Sequence, residues 1–282
     1  MQVKDETVGI IEVTVASTLF GLAPILVRLG SNLGPYNLSA ARVMIASAAL
    51  YLYFLLMRKT IAPIRKEKGR LLLFGAIHGF IILGYFISIQ YLTIASAVLL
   101  LYSSSIWIII FAHFLLNEQI LPKAWAALGI AFLGVILVLS PQQFFIRESL
   151  IGSVAGLLGG IGFGLVYVLS KTFKTYDRVS LTFWQNLIAI PFMLPLLLID
   201  PPHFSTIDVG ILLAIGVVCT AIPFVLVYKG FQRISAQTGG VVILLDIIFP
   251  VLLAFLAFKE IPSISAAAGG LLIIAGFYLA TT

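Results

Sequence analysis

A single carboxylate, that of Asp246, stands in the middle of a long apolar run over residues 236–258. A run of this length suits a membrane-spanning helix, and a carboxylate at the bilayer centre costs about 2.5–3.5 kcal/mol on insertion scales. Such a residue is expected to face a cavity or a partner side chain. Asp246 is therefore a candidate site for a cation or a proton. A neutral carboxyl group bonded to a neighbouring helix is the alternative.

Polar and aromatic side chains cluster in another apolar run, near residue 104. Ser104, in the serine run 103–105, is the counterpart of Asp246 at an offset of 142 residues, and Tyr102 and Trp107 flank the serines. Aromatic rings with a polar edge suit the wall of a path for amphipathic or aromatic solutes. We interpret Ser104, Tyr102 and Trp107 as candidate pathway residues. Packing in the protein interior is the alternative for the aromatics.

Further candidates recur at helical spacing. His78 and Tyr85 are seven residues apart, which places them on one helix face, and a histidine can donate, accept or titrate near neutral pH. Phe163 and Tyr167 are four apart, and Phe20 matches Phe163 at an offset of 143. These side chains are candidates to line or gate the same path. Core packing, and for His78 a hydrogen bond to a carbonyl, are the alternatives.

Charged residues also stand near the ends of apolar runs. Arg42 can bind a carboxylate through two hydrogen bonds, but we favour a structural role in which it snorkels or caps a turn. Glu118 and Glu260 follow the fourth and ninth runs in the stretches LLNEQI and AFKEIP. We expect both to pair with loop bases or to cap the next helix rather than to contact a substrate.

The composition is that of a chain dissolved in lipid. Of 282 residues, 61% are hydrophobic and 10% are charged, whereas a soluble domain is typically ~25% charged. The net charge of +6 does not indicate nucleic-acid binding, because no soluble domain is left to carry a basic face. We predict an all-α integral membrane protein.

Ten apolar runs of about membrane-spanning length follow one another along the chain. We predict transmembrane helices over residues 9–28, 38–57, 71–92, 94–116, 123–140, 150–171, 180–199, 208–228, 236–258 and 264–281. With the N-terminus in the cytoplasm, 13 of the 17 lysine and arginine residues fall in inside segments, so both termini are predicted to be cytoplasmic. The densest basic segment, RKTIAPIRKEKGR, is then a cytoplasmic loop that can contact anionic lipid.

The chain repeats itself at an offset near 142. Residues 20–22 and 163–165 both read FGL, Glu118 corresponds to Glu260, and Gly134 corresponds to Gly276. We therefore divide the chain into a first repeat, 1–143, and a second, 144–282, with five helices each. Because five is odd, the second repeat has inverted topology, an arrangement that places a substrate site near the membrane midplane between the repeats.

Several short motifs resemble those of a known family. The first repeat contains FGLAPILVRLG and then LSAARVMIASAAL; the second contains FGLVYVLSK, LTFWQNLIAIPF and DIIFP running to FKE. In their order and duplication they resemble the EamA-type drug/metabolite transporter superfamily over nearly the whole chain. One departure is in the fourth spans, both of which often carry proline in the family. Here Pro250 is present but SSSIWIII has none, so the first repeat is expected to bend less or to bend at its serines.

The resemblance implies transport of small organic solutes, commonly amino acids, drugs or other metabolites, often outward. Small multidrug transporters, a related group, use a glutamate of the first span for proton-coupled export. By this resemblance Glu12, which lies early in the first span, is a candidate for coupling together with Asp246 and His78. It departs from that group in lying only a few residues past the cytoplasmic boundary, whereas their glutamate is nearer midspan.

We predict a secondary transporter, an exporter or facilitator, that alternates access around a midplane cavity walled by spans one, three, four, six, eight and nine. Spans five and ten are rich in Gly and Ala and lack inward polar groups, so we predict that they are packing or association helices. The segment LLGGIGFGL lies inside a span without a preceding strand, so no ATP site is expected, and neither a cofactor nor a metal is predicted.

The alternatives are a lipid-carrier flippase subunit and, less favoured, an intramembrane enzyme. We expect the inner (plasma) membrane of a prokaryote, with membrane lipid as a partner, and leave monomer and homodimer open.

Overall fold

The computed structural model describes residues 2–29, 35–64, 67–92, 94–139, 150–199, 205–259 and 261–281, and these ranges contain helices and no strand. The α-helices are α1 (Gln2–Gly21), α2 (Ala23–Leu29), α3 (Pro35–Leu56), α4 (Lys68–Tyr91), α5 (Ile94–Tyr102), α6 (Ser104–Leu116), α7 (Pro122–Val138), α8 (Leu150–Thr172), α9 (Arg178–Ile199), α10 (Thr206–Gly216), α11 (Ile222–Arg233), α12 (Ala236–Val242), α13 (Ile248–Phe258) and α14 (Ile264–Thr281). A π-helical segment, Val217–Ala221, joins α10 to α11, and a 3₁₀ segment, Ile243–Ile247, joins α12 to α13.

Among the described residues, eight helical stretches are long and apolar enough to cross a membrane. They are Lys4–Val27, Tyr36–Leu56, Lys68–Tyr91, Ser96–Leu116, Leu150–Thr172, Thr206–Arg233, Ala236–Phe258 and Ile264–Thr281. The fifth predicted span is the shorter α7, of 17 residues, and the seventh is α9, which contains Pro191 and Pro195. The all-helical membrane architecture is therefore confirmed, while the count of ten spans stays a prediction.

Helices end at two opposite faces of the bundle. Arg233 at the end of α11 forms an ion pair with Asp5 at the start of α1, with a distance of 3.1 Å between nitrogen and oxygen. Glu6 of α1, Lys123 of α7 and Thr281 of α14 line one polar depression at this same end. We call this end the terminal face, because both the first and the last described helix reach it.

Prolines explain two of the irregular helical segments. A proline lacks the backbone N–H and its ring collides with the carbonyl four residues earlier. For Pro250 that carbonyl belongs to Asp246, inside the 3₁₀ segment, and for Pro223 it belongs to Cys219, inside the π-helical segment. The regular helical hydrogen bonds are therefore interrupted in both segments within the bundle.

The fourth predicted span is divided into two helices without a proline. Helix α5 ends at Tyr102 and α6 begins at Ser104, and the hydroxyl of the intervening Ser103 donates to the carbonyl of Leu100 at 2.6 Å. Ser103 keeps helical dihedral angles, with φ −57° and ψ −15°, so the choice between a smaller bend and a bend at the serines stays a prediction. At the offset of 142 residues this position corresponds to the 3₁₀ segment of the ninth predicted span.

Glycines allow the closest helix contacts. A Cβ atom on Gly164 of α8 would lie 2.6 Å from Cβ of Trp107 in α6, so only glycine permits this approach. Helices α7 and α14 meet in the same way, because a Cβ on Gly134 would lie 2.5 Å from the carbonyl oxygen of Gly269. The fifth and tenth predicted spans therefore pack closely against each other.

Candidate functional site

A cavity of about 240 Å³ lies inside the bundle. The elements that contribute to its wall are α1, α2, α3, α4, α5, α8, α11, the 3₁₀ segment and α13. It has apolar and aromatic walls with a few polar groups, as small-molecule sites have, and its size suits a small solute. The side chains that line it are Phe20, Ala23, Pro24, Arg42, Ile81, Ile82, Tyr85, Leu101, Tyr102, Phe163, Tyr167, Phe224, Asp246 and Pro250.

Asp246 lies on the cavity wall at the broken part of its helix. The hydroxyl of Tyr102 donates a hydrogen bond of 2.7 Å to its Oδ2 atom. The bond links the end of α5 to the 3₁₀ segment, so it joins the fourth and ninth predicted spans at the cavity wall. Asp246 thus both faces a cavity and has a partner side chain on a neighbouring helix.

Arg42 brings an opposite charge to the same cavity. Its Nε atom donates to the hydroxyl of Thr220 at 3.3 Å, and that hydroxyl donates in turn to the carbonyl of Ile215 at 2.9 Å. The π-helical segment thus holds the guanidinium through Nε, a contact that does not use the two terminal nitrogens. A guanidinium held in this way can bind a carboxylate through a fork of two hydrogen bonds.

Aromatic rings form much of the remaining wall. Phe20 and Phe163, which match at an offset of 143, both line the cavity. Phe20 packs edge to face on Phe224 with ring centroids 5.2 Å apart, and Phe163 packs in the same way on Tyr167 at 5.2 Å. These paired rings give the cavity rigid apolar surfaces on both sides of its charged groups.

Three predicted pathway residues lie outside the cavity lining. His78 is buried behind the wall, where its ring packs edge to face on Phe224 at 5.1 Å. Ser104 is buried at the start of α6, and its carbonyl oxygen approaches Gly164 of α8. Trp107 packs over the same glycine and beside Phe111, so it serves the contact between α6 and α8.

Two predicted acids lie at the terminal face instead. Glu12 forms an ion pair with Nε of Arg233 at 3.1 Å. Both carboxylate oxygens of Glu118 accept from the backbone N–H of Ala236, at 3.1 and 3.0 Å, and Lys171 approaches the same carboxylate at 3.2 Å. Glu118 therefore caps a helix, as expected, but the helix is α12 of the second repeat. Glu260 lies outside the described residues.

A column of buried rings separates the cavity from the terminal face. Phe224 of the cavity wall lies 5.8 Å from Tyr228, Tyr228 lies 5.9 Å from Phe74, and Phe74 lies 5.2 Å from Phe173, measured between ring centroids. The hydroxyl of Tyr228 donates to Gln185 at 2.6 Å. All four rings are almost fully buried, so this side of the cavity is closed by packed aromatics.

Arg42 and Phe224 are the principal lining residues that the sequence analysis did not select. The available signal for Arg42 was its position seven residues into α3, which is about 10 Å from the helix start and too deep for a simple interface anchor. The sequence signal for Phe224 was the preceding Pro223, because a proline inside an apolar run indicates an irregular backbone, as Pro250 does near Asp246.

Comparison with known proteins gives consistent results. The model of the EamA-like transporter family matches residues 7–140 and again 150–282. An uncharacterized transporter of Archaeoglobus fulgidus is 27% identical over 83% of this chain and 82% of its own length. The uncharacterized transporter YoaV of Bacillus subtilis is 22% identical over 84% of this chain and 82% of its own. A solved crystal structure superposes with a TM-score of 0.85 at 19% identity, covering 97% of this chain and 98% of that one, which shows a shared fold.

Proposed function

Because the chain belongs to the EamA-like transporter family, and is thus a multi-pass membrane transporter rather than an enzyme, we propose that it moves small organic metabolites across the membrane as a secondary transporter. It acts as an exporter or facilitator for solutes such as amino acids or drugs. The substrate site is the central cavity between the two repeats, and access to it alternates between the two sides of the membrane.

One observation carries this proposal: Arg42 and Asp246 line a single cavity that is otherwise aromatic and apolar. Opposite charges suit a solute with a carboxylate and an amino group, and the rings suit its apolar part. Asp246 is also the leading candidate for proton coupling. Glu12 and His78 are secondary candidates, because neither lines the cavity.

The polar contacts at the terminal face support an alternating-access cycle. Glu118 and Lys171, like Arg233 and Asp5, pair a residue of the first repeat with one of the second. If ten spans leave both termini in the cytoplasm, these bonds and the column of rings close the cytoplasmic side in this state. Opening that side requires the contacts to break while the opposite side closes.

A lipid-carrier flippase subunit is the alternative function. It would use Arg42 or Lys171 for a headgroup and would need a lateral opening for the chain. A long amphiphile that accelerates or blocks flux would favour this alternative over a transporter of small polar solutes.

The test is uptake of a labelled amino-acid and metabolite mixture into proteoliposomes, with and without an imposed pH gradient. Saturable uptake without the gradient identifies a facilitator or exchanger and names the substrate class. Uptake that requires the gradient identifies proton coupling. Lack of uptake of any polar solute in both conditions overturns the proposal in favour of the flippase.

The proposed cellular location is the inner membrane of a prokaryote, which fits the archaeal and bacterial relatives. A fusion of a cytoplasmic reporter to each terminus tests the orientation. Both fusions are expected to be active in the cytoplasm, whereas an active periplasmic reporter at either terminus would contradict an even number of spans with both ends inside.

A further inference from the structure

A second groove lies on the outside of the bundle, between α3, α9 and α11. Its inner part has a volume of about 370 Å³ and is lined by small and apolar side chains, among them Ala49, Leu50, Ala221, Val225 and Leu226. It follows the π-helical segment and α11 from Val217 to Lys229, twelve residues or about 18 Å along the helix axis. The groove is thus long, narrow and apolar, and it does not share a lining residue with the central cavity.

The groove continues into a basic depression at the ends of these helices. The depression has a volume of about 560 Å³, and Tyr53, Val179 and Lys229 line both parts. Three further bases line it: Arg58, Lys59 and Arg178. It lies at the terminal face, because Arg178 donates to the carbonyls of Ser170 and Phe173 at the end of α8, at 2.7 and 2.9 Å.

The charges of the depression are unequal. Among the described residues, Asp177 is the one carboxylate that lines it, and its Oδ1 atom accepts from the N–H groups of Val179 and Ser180 at 3.0 and 2.9 Å. Within the described part of the chain, the ion pairs with carboxylates do not include Arg58, Lys59 or Lys229. Four bases against one engaged carboxylate leave a positive depression at the mouth of an apolar groove.

We propose that this composite groove binds an anionic phospholipid, with the phosphate at Arg58, Lys59 and Lys229 and one acyl chain along α11. The basic depression alone could bind a free phosphate, and the apolar groove alone could bind any lipid chain. Because the two parts are continuous, they fit one occupant that carries both a negative headgroup and an acyl chain. Bases at the membrane surface attract anionic lipid, and this inference does not depend on which solute the central cavity carries.

The experiment is native mass spectrometry of the full-length protein released from nanodiscs that contain phosphatidylglycerol or phosphatidylcholine. The charge variant is Arg58→Gln/Lys229→Gln, and its matched control is Lys123→Gln/Lys174→Gln, which removes the same charge from the same face outside the groove. We expect phosphatidylglycerol to be retained in preference to phosphatidylcholine. Loss of each groove base is expected to weaken retention about five-fold, and the control is expected to leave it unchanged.

A second pair of variants tests the acyl chain. Val225→Trp fills the apolar part, whereas Leu213→Trp places the same ring on an exposed position of α10. We expect loss of retained phosphatidylglycerol for Val225→Trp alone. The proposal would be overturned if both lipids were retained equally or if the two charge variants had the same effect. It would also be overturned if Val225→Trp still retained phosphatidylglycerol, or if glycerol phosphate displaced the lipid fully.

Discussion

The hydroxyl of Tyr102 reaches Oδ2 of Asp246 across 2.7 Å, and these two residues occupy the interrupted centres of the fourth and ninth predicted spans. The bond joins residues of the two predicted repeats at the cavity wall. Any movement of the repeats that reshapes the cavity must lengthen this bond or carry both broken helices together. A substrate ammonium group at the cavity would also compete for the same carboxylate.

Asp246→Asn keeps the size of the side chain but removes its charge and its ability to bind a proton. We expect this variant to fold and to lose flux, or to lose the dependence of flux on pH, in the proteoliposome assay. Ser104→Ala is the matched control, because Ser104 is buried at the corresponding break but lies outside the cavity lining. Unchanged flux of Asp246→Asn at every pH would remove Asp246 from the mechanism.

Tyr102→Phe removes the donor and leaves the ring. Hydrogen bonds to charged groups contribute about 1.5–3 kcal/mol, so we expect a change of roughly 10- to 100-fold in the step that depends on this bond. Because the two residues contact each other, the double variant with Asp246→Asn is expected to be no worse than Asp246→Asn alone. Additive losses in the double variant would show that Tyr102 acts independently of Asp246.

Arg42 is expected to recognise the anionic end of the solute. Arg42→Gln should raise the KM for a carboxylate-bearing solute about 10- to 100-fold, the effect of losing one or more charge-assisted hydrogen bonds. Arg42→Lys keeps the charge but not the fork, so an intermediate KM is expected. Thr220→Val, which removes only the partner of Nε, serves as the control. Equal KM values for all three variants and the parent protein would exclude a direct contact.

The sequence predicted the helices better than the site. The sixth run, 150–171, corresponds to α8, Leu150–Thr172, and the ninth, 236–258, corresponds to the stretch from Ala236 to Phe258, because apolar length is read directly from the residues. In the fourth predicted span the sequence left two outcomes open, a smaller bend or a bend at the serines, because no proline is present there. The π-helical segment Val217–Ala221 and the 3₁₀ segment Ile243–Ile247 were not predicted. Each contains the carbonyl four residues before a proline, and that relationship would have indicated both segments.

Only some of the predicted pathway residues line the cavity, and their position along the helix axis explains the difference. Tyr85 lines the cavity, but His78, on the same helix face, lies two turns or about 10 Å nearer the terminal face, behind Phe224. Helical spacing defines a face but does not define where along the helix a cavity begins and ends. Trp107 differs for another reason: its Cβ lies against Gly164 of α8, so the residue serves the close contact of the two helices and not the cavity wall.

The contact of Glu118 with Lys171 and the start of α12 is expected to hold the terminal face closed. Glu118→Gln should shift the equilibrium toward a state that is open at this face by about ten-fold or more, because a partly buried charge-assisted interaction is lost. Spin labels at Lys123→Cys and Lys174→Cys, in a Cys219→Ser background, measure the separation of the two repeats. Longer label distances are expected for Glu118→Gln.

Glu6→Gln provides the control for this change, because it removes the same charge from an exposed position at the same face. It should leave the distance distribution unchanged. If Glu118→Gln and Glu6→Gln gave the same distribution as the parent protein, the contact would have a structural role without a part in gating.

Two adjacent glycines of α14 allow a sharp test of the packing between α7 and α14. A Cβ on Gly269 would lie 2.5 Å from the carbonyl oxygen of Gly134 and 2.8 Å from the nitrogen of Val138, whereas a Cβ on Gly270 would meet nothing within 4 Å. Overpacking costs about 1–3 kcal/mol, and both variants carry the same small helix penalty of a β-branched residue. Gly269→Val is therefore expected to lower the Tm in detergent by several degrees relative to Gly270→Val. A lower Tm or a changed oligomeric state for Gly270→Val instead would mean that the open side of α14 is covered by a second copy of the chain.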